Sequence, residues 1–378
     1  KISCFKNTWF LFSLHSPNFI YFYTMANQRF QGTSIQLDFG SLTESSFPEK
    51  LQKFAAQKIL ILVDENTQQH CLDYLLTSFE ELSHAEVIVL PPGEETKSIE
   101  YAVQLWELLT DYEVTKKDLL ICLGGGVVSD LGAFVASTYK RGLHCILIPT
   151  SWLAMIDAAI GGKNGIDFKG YKNLIGSIAQ PEHIYIDPGF LHTLPWPEYI
   201  SGLGEALKHS LIGGPALWAQ FKKEAALFIE NKQVLPTELL WELIQVKINI
   251  VEQDPLETGV RQVLNLGHTL GHAFEARCIE SEPIAHGVAV AWGLVYEAQI
   301  AYAQGLLDQA FAQELSAFVN TYFMVLPKVA LEATALAPFL NQDKKNQDEQ
   351  WRYAALKSPG AYLLNQGFDL AQLEAVLR

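Results

Sequence analysis

Cysteine is scarce and unpatterned in this chain. Five occur among 378 residues, at positions 4, 71, 122, 145 and 278, an odd number with no Cys-x-x-Cys or other ligand spacing. That excludes a disulfide framework and points to buried thiols in a reducing, cytoplasmic setting. Positive charge is also in the minority: 27 Lys and Arg face 42 Asp and Glu, a formal charge of -15. Nucleic acid and anionic membranes select basic surfaces, so neither is expected as a main partner. Long apolar runs are missing as well. The stretch from Trp9 to Tyr23 is broken by His15, Ser16, Pro17 and Asn18, which makes it a poor membrane span. No internal repeat or low-complexity linker is present. What remains is 49% hydrophobic and 18% charged, a globular composition whose length suits two domains.

Residues 1–24 differ from everything after them, being aromatic-rich, almost uncharged and without Met before Met25. They show no small-residue cleavage pattern. They are expected to be an extension upstream of a start at Met25, non-native or disordered, and outside the fold. From there the pattern divides. Lys58 to Val63, Val87 to Leu90, Leu119 to Leu123 and Cys145 to Ile148 are short apolar runs. Each is closed by turn residues and separated from the next by amphipathic stretches such as Ser98 to Tyr112. Such runs read as buried parallel strands, so residues 25–184 are expected to be an α/β domain. Residues 185–378 are dominated by helical patterns, Glu198 to Leu211, Pro236 to Gln253, His268 to Cys278, His286 to Gln304, Gln309 to Tyr322 and Asp369 to Leu377, with Trp351 to Leu356 as a late strand or hairpin.

Two segments carry chemistry. Gly124-Gly125-Gly126-Val-Val-Ser129-Asp130 follows a strand and opens a helix. Glycines there admit a phosphate to backbone N–H groups at a helix start, although the third glycine of a dinucleotide fingerprint is replaced by Ser129. Asp64, at a strand end, can bind a ribose diol, and the Gly93-Glu94-Glu95-Thr96-Lys97 turn, also after a strand, offers another polar edge at the same side of the sheet. The second segment is Asn265-Leu-Gly-His268-Thr-Leu-Gly-His272, followed by His286. Four residues is about one helical turn, so both rings of the pair can point at one spot. Catalytic zinc commonly takes three imidazole or carboxylate ligands and leaves a position open. Glu205, with Lys208 one turn on, offers a carboxylate. Lysines and arginines at 163, 172, 208, 247, 261, 344 and 345 gather in or beside these segments of an otherwise acidic chain, as a pocket for a small, multiply anionic ligand requires.

Taken in order, the segments from about residue 58 to 357 resemble the 3-dehydroquinate synthase family. The resemblance runs through the Gly124 turn with Asp130, Thr138-Tyr-Lys-Arg141-Gly, and Pro149-Thr150-Ser151-Trp-Leu-Ala-Met-Ile-Asp157-Ala-Ala-Ile-Gly-Gly-Lys163. It continues through Lys172-Asn173, Gly204-Glu205-Ala-Leu-Lys208, Lys247, Arg261-x3-Asn265-x2-His268-x3-His272, His286-Gly and Asp343-Lys344-Lys345. It implies an N-terminal Rossmann-like NAD-binding α/β domain, a C-terminal mainly helical metal-binding domain and an active site between them. It also implies a homodimer in which Arg141 of one copy reaches the substrate phosphate of the other.

By the same resemblance Glu205, His268 and His286 hold Zn2+ or Co2+, while His272 is a catalytic-site residue and not a ligand. Asp157, Lys163, Lys172, Asn173, Lys208, Lys247, Arg261, Asn265 and Lys345 hold the substrate's hydroxyls, carboxylate and phosphate. Asp64, Glu94, Lys97, Gly125, Gly126, Asp130, Thr150, Ser151, Lys163 and Lys172 hold NAD. Ser129, the Gly132-Ala133 pair, Lys140 and Asn164 depart from the family pattern; each lies beside a key position and none replaces one. The implied reaction is that of a carbon–oxygen lyase of the shikimate pathway, which converts 3-deoxy-D-arabino-heptulosonate 7-phosphate to 3-dehydroquinate and phosphate by transient oxidation, elimination, re-reduction and aldol closure. Other sugar phosphate cyclases, of the inosose or valiolone type, and metal-dependent polyol dehydrogenases are the competing expectations.

Overall fold

The computed structural model describes residues 3–5, 26–169, 171–231, 235–279, 281–341 and 350–377. Two compact units divide between Leu194 and Pro195, ten residues beyond the expected boundary at 184. The strand His183–Ile186 runs across that expected boundary. Just after it, the carboxylate of Asp187, fully buried, accepts from the backbone N–H groups of Leu42 (3.1 Å) and Gly189 (2.8 Å) and from the Tyr74 hydroxyl (3.2 Å). Those bonds fasten the segment to the first unit.

The strands, in chain order, are β1 (Ser3–Phe5), β2 (Gln28–Gln31), β3 (Gln36–Phe39), β4 (Ile59–Asp64), β5 (Glu86–Leu90), β6 (Leu119–Gly124), β7 (His144–Pro149), β8 (Lys163–Phe168), β9 (Tyr171–Ile178), β10 (His183–Ile186), β11 (Trp351–Ser358) and β12 (Ala361–Phe368). In the first unit eight form one sheet, ordered β1-β5-β4-β6-β7-β10-β3-β2. The six inner strands are parallel, and β1 and β2 pair antiparallel at the edges. The apolar runs become the central strands: β6 is buried along its whole length and β4 at all but Asp64, as a sheet covered on both faces demands. Ser3–Phe5, within the segment expected to lie outside the fold, pairs with Val87–Val89.

Register aligns the carboxyl ends of these strands. Asp64 faces Leu90 and Gly124 faces Pro149, and the Thr150 N–H donates to the Gly124 carbonyl at 3.0 Å. The turns after β4, β5, β6 and β7 therefore share one edge of the sheet, where open α/β sheets bind ligands. A separate antiparallel hairpin, β8–β9, was not anticipated. It lacks an apolar run, and Gly165 and Gly176 face each other across it.

Among the described residues the second unit's regular structure is helical apart from the β11–β12 hairpin. Its two central helices, Trp196–Gly213 and His286–Ala303, are buried on nearly every face, the pattern of core helices. The helices Thr237–Gln253, His268–Cys278 and Gln309–Tyr322 follow the expected periodicity. Pro215–Asn231 and Ala333–Leu340 are additional. Among the described residues no helix is long and apolar enough to cross a membrane.

Candidate active site

Three helices of the second unit, those carrying Glu205, His268 and His286, meet at glycines that neighbour those three residues. A Cβ on Gly204, beside Glu205, would overlap the carbonyl oxygen of Gly287, beside His286; a Cβ on Gly287 would overlap that of Ser201. On the other flank a Cβ on Gly293 would overlap the Gly267 carbonyl oxygen, and Gly267, beside His268, takes φ +76°. Backbone thus touches backbone where the three side chains depart, and the side chains are drawn to one point.

At that point Glu205 Oε1 lies 3.2 Å from His268 Nε2 and 3.3 Å from His286 Nε2. Lys208 Nζ lies against Glu205 Oε2. Glu205 and Lys208 are 0% and 1% exposed; the Glu205 oxygens meet the Lys208 ammonium and the two imidazoles but make no hydrogen bond of regular geometry among the described residues. Buried carboxylate oxygens are normally satisfied by hydrogen bonds. Two donors each about 2.0–2.1 Å from a tetrahedral zinc ion stand about 3.3–3.4 Å apart, close to the spacing found here. A divalent cation therefore fits this donor set, in both its chemistry and its spacing. His272 is near but differently placed: its ring centroid is 5.1 Å from that of His268 and 5.8 Å from that of His286, and its side chain is exposed. Nitrogens of all three histidines fall within 4.8 Å of one another.

The electrostatics follow the packing. Burial alone would raise the Glu205 carboxyl, but the Lys208 ammonium and the His268 and His286 rings outweigh it and hold it well below its ordinary value. Burial and the nearby Lys208 charge lower His268. Burial also opposes a charge on His286, yet carboxylates at both its nitrogens, Glu205 and Glu275, push it up to about 10 in the metal-free protein.

Other expected residues of this unit are cations taken out of water. Arg261 is 2% exposed, its Nη1 donating to the Pro255 carbonyl at 2.6 Å and its backbone N–H to Asp254 at 3.0 Å. Lys247 is buried. Asn265 Nδ2 donates to Glu257 Oε1 at 3.1 Å, and Glu257 holds a left-handed φ of +58°. Lys345 lies outside the described residues.

In the first unit the helix Gly126–Thr138 begins directly after β6, with Gly125 at its cap. A Cβ at Gly125 or Gly126 would meet only Ser151 Oγ at 3.4 Å or Ala158 Cβ at 3.5 Å, whereas Gly124 is packed against Val128. The second and third glycines thus leave space above the turn that side chains would fill, a cradle that fits a pyrophosphate at a helix start. Beside it Lys97, 4% exposed, pairs with Asp130 at 2.6 Å. Burial disfavours its charge, but Asp130 and Glu94 raise its pKa above the ordinary lysine value. Lys172 approaches Glu94 at 3.7 Å. Asp64 caps the short helix after β4, accepting from Thr67 N at 2.7 Å and Thr67 Oγ1 at 2.9 Å. Thr150 is buried, Asp157 lies in the turn Ala154–Ala158, and Lys163 opens β8 with its side chain exposed. Asn173 (φ +53°) donates its backbone N–H to Asp167 at 2.8 Å. Arg141 is exposed on a left-handed backbone, φ +64°.

Sequence reasoning missed three carboxylates behind the site: Glu257, Glu275 and Glu297. Glu297, 2% exposed, accepts from the backbone N–H groups of Gly267 (2.7 Å) and Leu270 (3.1 Å). It sits on the His286 helix and caps the start of the His268 helix, where negative charge is favoured. Spacing carried a signal for two of them. Glu275 is seven residues after His268 and Glu297 eleven after His286, two and three turns along the same helix faces.

An α/β unit with a glycine turn at the carboxyl edge of its sheet, followed by a helical unit with a buried carboxylate–imidazole centre, is a fold that recurs among solved structures of NAD-dependent enzymes. Two solved structures share it with a TM-score of 0.81. One is 2-deoxy-scyllo-inosose synthase with carbaglucose-6-phosphate, NAD+ and Co2+, 20% identical over 93% of this chain and 99% of that one. The other is 2-epi-5-epi-valiolone synthase from Streptomyces hygroscopicus with NAD+ and Zn2+, 22% identical over 92% and 97%. Family models then match end to end, 3-dehydroquinate synthase N-terminal over residues 87–201 and 3-dehydroquinate synthase C-terminal over 202–346. The 3-dehydroquinate synthase of Streptococcus pyogenes serotype M5 is 40% identical over 298 residues, 78% of this chain and 82% of that protein. The chain belongs to the 3-dehydroquinate synthase family.

Proposed function

We propose that the chain is a 3-dehydroquinate synthase that converts 3-deoxy-D-arabino-heptulosonate 7-phosphate to 3-dehydroquinate and phosphate, with NAD and Zn2+ or Co2+ as cofactors. The observation that carries this reading is the convergence of Glu205, His268 and His286 on one point at a fully buried carboxylate, in a chain of this family. Those three residues hold the ion. Asp64, Glu94, Lys97, Gly125, Gly126, Asp130, Thr150, Ser151, Lys163 and Lys172 hold the dinucleotide, with its pyrophosphate over the Gly125–Gly126 turn.

When bound, the metal supplies Lewis acidity to adjacent substrate hydroxyls and NAD a reversible store for the hydride. The chain's residues do the rest. Lys208, held against Glu205, keeps the centre's carboxylate ionised and faces the substrate with a buried ammonium. Lys247, Arg261, Asn265 and Lys345 receive the substrate carboxylate. Asp157, Lys163 and Asn173 position its hydroxyls and phosphate, and His272 stands beside the reacting carbons. The leaving phosphate serves as its own base in this reading, so the cations that orient it govern the elimination. A dinucleotide held by the first unit's residues would return the hydride it had stored, so the reaction would need no outside reductant before ring closure.

A homodimer completes the proposal, with Arg141 of one copy reaching the substrate phosphate of the other. It draws support from the exposed, left-handed setting of Arg141 and from Tyr171, Leu174, Ile175 and Ile178, apolar yet exposed along β9. A shikimate-pathway role in the cytoplasm accords with four free, buried cysteines among the described residues.

Phosphate release from the seven-carbon acid phosphate, measured beside a neutral heptulose phosphate, tests the assignment. Turnover of the acid alone, with no net rise in reduced-nicotinamide absorbance, is expected. Preference for the neutral sugar would make the protein a cyclase of the inosose or valiolone type, and accumulation of NADH a dehydrogenase.

A further inference from the structure

We infer that Glu275 is a positioning residue that fixes the tautomer and aim of His286 and thereby sets the affinity of the centre for its ion. The inference rests on the reading of Glu205, His268 and His286 as ligands. Glu275 lies on the His268 helix and is 6% exposed. Its Oε2 is 3.2 Å from His286 Nδ1, while Nε2 of the same ring is 3.3 Å from Glu205 Oε1.

A ligating imidazole has given up the second proton that the metal-free ring holds, and carries a single N–H. With Nδ1–H donated to Glu275, the lone pair on Nε2 is the one turned toward the Glu205 oxygen, the orientation a ligand requires. The other tautomer would set a nitrogen lone pair against the carboxylate of Glu275. A carboxylate on the far nitrogen also makes the ring a more basic ligand.

The two histidines are held by different means. His268 Nδ1 lies 3.2 Å from the carbonyl of Leu266, only two residues away, so its own segment of backbone aims it. His286 is the first residue of its helix, and its Nδ1 turns to a side chain on another element. The His268 helix therefore contributes one ligand directly and aims the second through a residue seven positions further along. A substitution at Glu275 reaches the centre without removing any ligand.

The test is a two-by-two set of proteins: the unaltered chain, Glu275→Gln, His286→Ala and the double variant. Each is stripped of metal and titrated with zinc against a chromophoric chelator, and the Co2+ absorption spectrum is recorded in parallel. Titrated over a range of pH and referred to the unprotonated His286, zinc binding by Glu275→Gln is expected to be weaker by about 10–100-fold, with the Co2+ bands shifted, while the melting midpoint of the metal-free protein stays close to that of the unaltered chain. In the His286→Ala background the same change is expected to add less than about twofold, because a residue acting through His286 has nothing left to act on. Unaltered zinc affinity in Glu275→Gln, or an equal additional loss in the double variant, would overturn the inference. An unaltered affinity in His286→Ala would instead overturn the ligand set beneath it. If Glu275→Gln does not fold, Glu275→Asp withdraws the carboxylate by one methylene, and zinc affinity equal to that of the unaltered chain would count against the role.

Discussion

His268→Ala and His272→Ala remove the same group one helical turn apart, and they are expected to differ sharply in metal content. His268 Nε2 stands 3.2 Å from Glu205 Oε1 in a buried setting; the His272 side chain is exposed, with its ring centroid 5.1 Å from that of His268. Four-ligand structural zinc sites bind with roughly 10–16 kcal/mol, or about 2.5–4 kcal/mol per protein ligand. Removing one ligand is then expected to lower zinc affinity by about 10²–10³-fold. His272→Ala is expected to change it by less than about tenfold, and to slow turnover through its place beside the substrate. Chelator competition on the metal-free variants gives the affinities, and phosphate release at saturating metal gives the rates. Equal metal loss in the two variants would refute this division, because it would make His272 a ligand of the same standing as His268.

Zinc affinity should rise with pH across the neutral range. The metal-free His286 is held up to about 10, so an ion entering at neutral pH must displace its proton, while Glu205 is already ionised; the expected slope approaches tenfold per pH unit. Calorimetry in buffers of different ionisation enthalpy should count about one proton released per ion, and a flat profile would contradict it. In the other unit, buried Asp38 accepts from Arg29 Nε at 3.0 Å, from Ser46 N and Oγ at 2.7 Å each, and faces His183 Nε2 at 3.3 Å. Burial raises its carboxyl, but His183, Ser46 and Arg29 hold it well below its ordinary value. The lowered folded value means its stabilisation is present above the unfolded pKa and fades as pH falls through the folded one. Asp38→Ala is expected to cost about 2–3 kcal/mol at pH 7, below the usual 3–5 for a broken buried pair because Arg29 is 47% exposed and rehydrates. Urea unfolding should show that gap closing in strong acid. Gly287→Ala, whose new methyl meets the Ser201 carbonyl, should exceed the roughly 1–3 kcal/mol of ordinary overpacking and lower zinc content in the same preparation.

Much of the α/β unit was legible because buried parallel strands must be apolar on both faces. β4, β5, β6 and β7 stand as apolar runs rich in Ile, Leu and Val, with Cys122 and Cys145 among them, closed by turn residues. The hairpin β8–β9 was not legible: Lys163–Phe168 and Tyr171–Ile178 mix glycine, charge and isolated apolar residues, and β9 is exposed along nearly all its length. With little burial there was no periodic demand on the sequence. The boundary after Leu194 was hidden for a different reason. Asp187 reads as an ordinary loop residue until its bonds to Leu42 and Tyr74, more than a hundred positions away, are seen.

At the centre itself, the sequence by itself determined which groups were available: two histidines one turn apart, a third in His286-Gly, and a Glu205–Lys208 pair. These follow from local spacing, because helical geometry alone decides which side chains share a face. Only the tertiary structure brought His268 and His286, each from a different helix, within 3.3 Å of Glu205 on a third. It did so through glycine contacts between backbones that no one-dimensional pattern specifies. It also decided that Glu275, two turns beyond His268 on the same helix face, stands behind His286. Meetings between residues distant in sequence depend on packing in three dimensions, and periodicity along a chain carries no record of them.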